Sequence, residues 1–187
     1  MSTAPLEQAI QSTRAVLSAV TPDQLAGETP CASWKVSDLI NHIVGGQYFF
    51  TTMIKGEAMS DAPRPDFAAG DFVAAFDEGA AASVAAFNEP GAMERIAHLP
   101  FGDMPGAAFA NIAATDTFTH GWDLARATGQ STDLAPDLAG ALLTGARAFI
   151  PDAFRGPDGK APFGAVQSVP ENACNADHLA AFLGRHV

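Results

Sequence analysis

Two carboxylates and an imidazole stand in a run that is otherwise largely apolar, Asp116-Thr-Phe-Thr-His120-Gly-Trp-Asp123-Leu-Ala-Arg126-Ala-Thr-Gly129. At about 100° per residue, Asp116 and His120 lie one turn apart on one helix face, and Asp123 falls about 20° from Asp116 two turns later. Phe109, Ala113 and Ala127 share that face, so the polar trio interrupts a stripe that periodicity assigns to the core. Polar groups at core positions need partners, and a divalent metal ion is one candidate. A carboxylate and an imidazole one turn apart can grip a single ion, and His42, carried by another helix, completes a set of two histidines and one carboxylate. Such a set suits Zn(II), Ni(II) or Fe(II), with zinc favoured, and leaves positions for water or substrate. The competing reading is a helix whose Asp116 and Asp123 face solvent and whose histidines make ordinary hydrogen bonds, since this spacing also arises by chance.

The neighbouring residues divide by the same chemistry. Asp123 either hydrogen-bonds a ligand histidine or caps a nearby backbone group. Cys31 precedes a helix start, where a thiolate is favoured, yet a buried structural thiol is the preferred reading over a nucleophile. Trp34 and Trp122 read as packing residues. Arg126 points about 120° from His120, a poor direction for holding an anionic substrate at the same site. His98, His178 and His186 fall in loop or terminal contexts and receive no site role.

These side chains need helices to hold them. The first helix spans residues 5–20 on a stripe of Leu6, Ala9, Ile10, Thr13, Val16, Leu17 and Val20, with Pro5 in its first turn. Residues 22–33 form a loop, and Ser33 can cap a second helix that starts between Trp34 and Ser37 and continues to Ile54. His42 borders its apolar stripe, and Gly45-Gly46 one turn on would let a helix or a ligand come close. Residues 56–70 read as a surface connection, and residues 71–88 as a shorter helix broken near Gly79. Residues 89–105 are irregular, with a short extended piece from Ile96 to Leu99. The third main helix runs over residues 106–128 and stops at Gly129, and a fourth over residues 136–150 turns Leu138, Leu142, Ala146 and Phe149 inward. After a Gly- and Pro-rich return over residues 151–170, Asn175 caps a short last helix ending at Leu183. The expected fold is therefore all-α, a four-helix bundle with long crossover connections and a short C-terminal helix, built as one domain over residues 1–187.

Composition narrows the function. At 187 residues the chain can bury a core without a structural metal, so any ion is expected to be functional. A formal charge of −11 excludes a nucleic-acid surface, which needs clustered cations. No apolar run reaches the length of a membrane span, and no signal-like N-terminus is present, which places the protein in the cytoplasm. The two cysteines, Cys31 and Cys174, form no zinc knuckle or redox motif.

Three stretches in order, Thr29-Pro-Cys31-Ala-Ser-Trp34-Lys-Val-Ser-Asp38-Leu-Ile-Asn-His42, the run from Asp116 to Gly129, and Phe163-Gly-Ala-Val166 with Leu183-Gly-Arg185, resemble the actinobacterial-type branch of the DinB-like superfamily. This branch comprises metal-binding proteins related to the N-terminal domain of mycothiol-dependent maleylpyruvate isomerase. The resemblance covers nearly the whole chain. It implies a DinB-like bundle with a divalent ion on His42, Asp116 and His120. It also implies a low-molecular-weight thiol as cosubstrate, bound to the ion as thiolate for S-transfer or thiol-dependent isomerisation. In the isomerase the carboxylate ligand is a Glu, whereas Asp116 stands at that position here, and the isomerase's additional C-terminal domain is not expected in this chain. A small-molecule or thiol partner is thus expected, and a homodimer is common among such bundles. The alternative functions are a non-catalytic protein that holds a metal or small ligand, and a plain interaction module.

Overall fold

The computed structural model describes residues 2–60, 62–157 and 160–187. Among these, six α-helices and one small hairpin are present: α1 (Ala4–Leu17), α2 (Val36–Lys55), α3 (Phe72–Phe87), β1 (Ile96–Leu99), β2 (Gly102–Pro105), α4 (Gly106–Ala127), α5 (Pro136–Phe149) and α6 (Asn175–Phe182). The all-α expectation holds. The four helices that pack together are α1 to α4, with α1 lying chiefly on α4 and α2 on α3, while α5 pairs with α6 beside them. The segment expected to be broken is therefore a full member of the bundle. Gly79 does not interrupt it, because a Cβ there would stand 3.0 Å from Gln47 Cβ and from the Tyr48 ring, so the glycine serves a close approach of α3 to α2.

Helix ends differ from the sequence reading where side chains supply the missing partners. α1 stops at Leu17 instead of residue 20, since its last turn tightens into bonds from Ala19 N to Val16 O (3.1 Å) and from Val20 N to Leu17 O (3.2 Å). α2 begins at Val36, not under a Ser33 cap: the Asp38 carboxylate accepts the Lys35 backbone N–H at 2.9 Å. Cys174, rather than Asn175, sits at the cap of α6, where its sulfur accepts the Asp177 N–H at 3.4 Å. α2 is followed by Gly56 (φ 72°) and α4, past Thr128, by Gly129 (φ 71°), both in the left-handed region that favours glycine.

The core follows the apolar stripes. Phe50, Phe87 and Phe109 are buried and meet ring to ring at 5.6 to 5.8 Å, and Trp122 is fully enclosed with its indole N–H donating to Asp177 Oδ1 at 2.9 Å. Leu138, Leu142 and Ala146 of α5 point inward as expected, but Phe149 is 81 % exposed, because it lies at the last residue of the helix where the chain turns away. The extended piece at Ile96 exists and pairs antiparallel with β2, Ile96 opposite Pro105 and Leu99 opposite Gly102. No helix of the described residues is long and apolar enough to cross a membrane.

α1 and α4 approach each other closely at Gly121. A Cβ on Gly121 would lie 2.3 Å from Thr13 Oγ1, and that hydroxyl donates to Thr117 O at 2.8 Å. Gly121→Ala should therefore lower unfolding free energy by about 1–3 kcal/mol through overpacking. Gly145→Ala in α5, where a Cβ would meet nothing within 4 Å, should leave it unchanged or raise it by about 0.5–1 kcal/mol. Urea titration of both variants distinguishes the two environments.

Candidate metal centre

α4 carries Asp116, His120 and Asp123 on one face, and α2 brings His42 against them. His42 Nε2 lies 3.5 Å from Asp116 Oδ2, and His120 Nε2 lies 3.5 Å from Asp116 Oδ1. The donor atoms of these three residues all lie within 4.8 Å of one another. Ligand atoms about 2.0–2.1 Å from a tetrahedral ion stand about 3.4 Å apart, so the spacing fits one shared cation. A second observation favours it: His42 Nε2 is buried and has no hydrogen-bond partner. The aspartate, though shorter than a glutamate, reaches both imidazoles.

The second face of His120 is equally specified. Its Nδ1 lies 3.0 Å from Asp123 Oδ2, and since a carboxylate only accepts, the ring carries its proton on Nδ1 and presents the Nε2 lone pair toward Asp116. Asp123 has no solvent exposure and is held by Arg185, whose Nε donates to Oδ1 (3.2 Å) and Nη2 to Oδ2 (3.1 Å). The reading of Asp123 as solvent-facing is thus corrected. It hydrogen-bonds the histidine, one of the two roles the sequence left open. Burial opposes its ionised form, but Arg185 and His120 outweigh that and depress its pKa.

Above this pair runs the loop that enters α2. Thr29 Oγ1 accepts the Cys31 N–H (3.1 Å) and lies 2.9 Å from Trp34 O, while Trp34 N donates to Cys31 O at 2.8 Å. The tight loop sets the Trp34 ring 4.7 Å from that of His42 and 5.6 Å from that of His120. Trp34 therefore packs on the candidate ligands themselves, which its loop position gave no means of reading. The same loop puts Cys31 Sγ 3.3 Å from Asp123 Oδ2 and 4.0 Å from His120 Nδ1. Cysteine and aspartate share one ring nitrogen, so the three do not form a nucleophile–base–orienter relay, which needs one partner on each nitrogen. Burial, reinforced by Asp123 and opposed by Arg185, pushes the Cys31 thiol up to about 12, in keeping with a structural thiol.

Charge within the candidate ligand set is balanced by protons. Burial alone would raise Asp116, but His42 and His120 outweigh it and bring its pKa down to about 2. Burial likewise works against a charged His42, and Asp116 overcomes it, so His42 titrates above the ordinary imidazole value. Arg126 is exposed, and His98 pairs with Asp103 on the hairpin at 3.0 Å. A hollow of about 490 Å³ between α1 and the start of α5, lined by Gln11, Ser12 and Asp137 among others, shares no residue with the cluster.

An all-α bundle with a partly buried histidine–carboxylate cluster between two of its helices defines the class of protein. The chain belongs to the mycothiol maleylpyruvate isomerase N-terminal domain family, whose profile matches residues 6–125 and so spans Cys31, His42, Asp116, His120 and Asp123. It is 46 % identical over 173 residues, 92 % of this chain and 91 % of theirs, to two uncharacterized proteins of Mycobacterium tuberculosis, from strains CDC 1551 / Oshkosh and ATCC 25618 / H37Rv. No solved structure matches the chain.

With Cys174 replaced by Ser, alkylation of Cys31 by iodoacetamide at pH 8 should run at least about a hundredfold slower than that of an unperturbed cysteine, because so little thiolate is present. Mass spectrometry of timed samples measures this. A rate equal to that of a free peptide thiol would contradict the buried, protonated state.

Proposed function

We infer that the protein binds one divalent metal ion through His42 Nε2, His120 Nε2 and the Asp116 carboxylate, with zinc the favoured ion, and uses it in thiol-dependent chemistry, S-transfer or isomerisation of a small electrophile. The observation that carries the reading is the pair of imidazole nitrogens facing one carboxylate at 3.5 Å each, one of them buried without a hydrogen-bond partner. Membership of a family described by mycothiol and maleylpyruvate isomerase supports the thiol as cosubstrate. When bound, such an ion supplies Lewis acidity that lowers the pKa of a thiol entering an open position.

The protein's own residues prepare that site. His120 is fixed by Asp123 with its lone pair toward Asp116, and the side chains of His42 and Asp116 are each about a third exposed. Trp34 walls one side of both imidazoles and restricts water there. Cys31, held as a neutral thiol, does not compete as a nucleophile. A non-catalytic metal or ligand carrier would use the same residues and differ only in showing no thiol conjugation.

Elemental analysis of the purified protein should show about one equivalent of divalent metal. His42→Ala, Asp116→Ala and His120→Ala should each remove it, and stoichiometric metal retained in all three variants would overturn the reading. A thiol-conjugation screen with the metal present and removed then separates enzyme from carrier.

The pH dependence follows from competition with protons. A ligand imidazole must be neutral, and His42 holds its proton more tightly than an ordinary histidine because of Asp116. Metal affinity should therefore be full above the raised His42 value and fall as pH drops through it, with the decline beginning above the ordinary imidazole range. Isothermal titration with Zn(II) between pH 5.5 and 8, with the number of protons released followed in buffers of different ionisation heat, checks the sign; affinity independent of pH across that window would contradict it.

A further inference from the structure

The family match ends at residue 125, yet the site geometry continues to residue 185. After α6 the chain turns through Gly184 (φ 99°), with Gly184 N bonded to Ala181 O (3.0 Å) and Arg185 N to Ala180 O (2.9 Å). This turn is pressed on the return segment: a Cβ on Gly184 would lie 2.5 Å from Gly164 Cα, so two glycines cross in direct backbone contact. Arg185 leaves the turn and enters the bundle. Its guanidinium takes both oxygens of Asp123, donates to Leu183 O (3.2 Å) and lies 3.8 Å from Cys31 Sγ. A two-point grip on a carboxylate fixes its plane as well as its position, which a single contact does not. The plane of Asp123 in turn decides which nitrogen of His120 carries the proton.

We propose that Arg185 is a positioning residue for the histidine–carboxylate cluster, so that the C-terminal turn at Gly184, crossed on Gly164, completes a metal site whose donors all lie within residues 42–120. The inference rests on the metal-binding reading of His42, Asp116 and His120. Without the guanidinium, Asp123 is free to rotate toward Cys31 or away from the ring, and His120 is no longer held with Nε2 toward Asp116.

Two measurements on the full chain test this, one of which needs no metal. In metal-free protein, ¹⁵N ring shifts of His120 should report a single Nδ1-protonated tautomer in the wild type and a mixture in Arg185→Gln. In Co(II) titrations, Arg185→Gln should lower affinity about ten- to hundredfold and alter the visible d–d spectrum. Arg185→Lys, which keeps the charge but not the two-point geometry, should recover part of the loss. The double variant with Asp123→Asn should bind Co(II) no more weakly than Asp123→Asn alone, as required if Arg185 acts through Asp123. An unchanged tautomer in Arg185→Gln overturns the inference, as does an unchanged affinity and spectrum or full additivity in the double variant. Wild-type protein that binds no Co(II) overturns the metal reading instead, and the tautomer comparison then still judges the arm. Should Arg185→Gln fail to fold by circular dichroism, Arg185→Lys carries the same comparison, and wild-type affinity with a wild-type tautomer in that variant overturns the proposal.

Discussion

A carboxylate cut off from water must be paired, and Asp123, with no exposed surface, is the group around which three separate stretches of this chain are arranged. His120 meets it from one turn earlier on the same helix, Cys31 from the loop before α2, and Arg185 from the turn after α6. The ion pair thus fixes the entry loop and the C-terminal turn to α4 at one point. That the same point orients a candidate ligand means that loop, terminus and site are coupled through a few hydrogen bonds.

α4 acts as the spine because its small and polar residues are spaced for different neighbours. Gly121 admits α1 to within touching distance at Thr13, and Thr117 accepts the Gln47 amide at 2.9 Å. Ser83 of α3 donates to the Gln47 carbonyl oxygen at 2.8 Å, which completes a buried polar chain across three helices. Such a chain is satisfied in one register only, so it determines how α2, α3 and α4 slide relative to one another. The alignment of His42 with Asp116 depends on that register, because they lie on the two helices that Gln47 and Thr117 tie together.

What could be read from the sequence was whatever a single helix places by itself. Asp116 and His120 fall together through helical spacing, and His42 was marked by its place beside an apolar stripe. Trp34 and Arg185 reach the cluster only through a loop fold and a terminal turn, for which periodicity carries no information. The glycines show the same division. Gly129 was readable as a helix end from its flanks, whereas Gly79 was misread as a break because the helix it admits lies about 30 residues away in sequence. Phe149 was misplaced because a helix face was extended one residue past the point where the chain departs.

The electrostatics of the cluster turn on the carboxylate that stands between its two imidazoles. Asp116 is ionised even when burial opposes it, so positive charge must sit beside it. In the protein alone, a proton on His42 helps supply that charge, and this is why His42 is drawn upward and Asp116 downward together. A divalent cation held by His42, Asp116 and His120 would supply that charge in place of the His42 proton. His120 differs from His42, because its Nδ1 proton is directed to Asp123 and its Nε2 already turns a lone pair toward Asp116. Loading would therefore displace a proton from His42 while the hydrogen bond from His120 Nδ1 to Asp123 could stay in place.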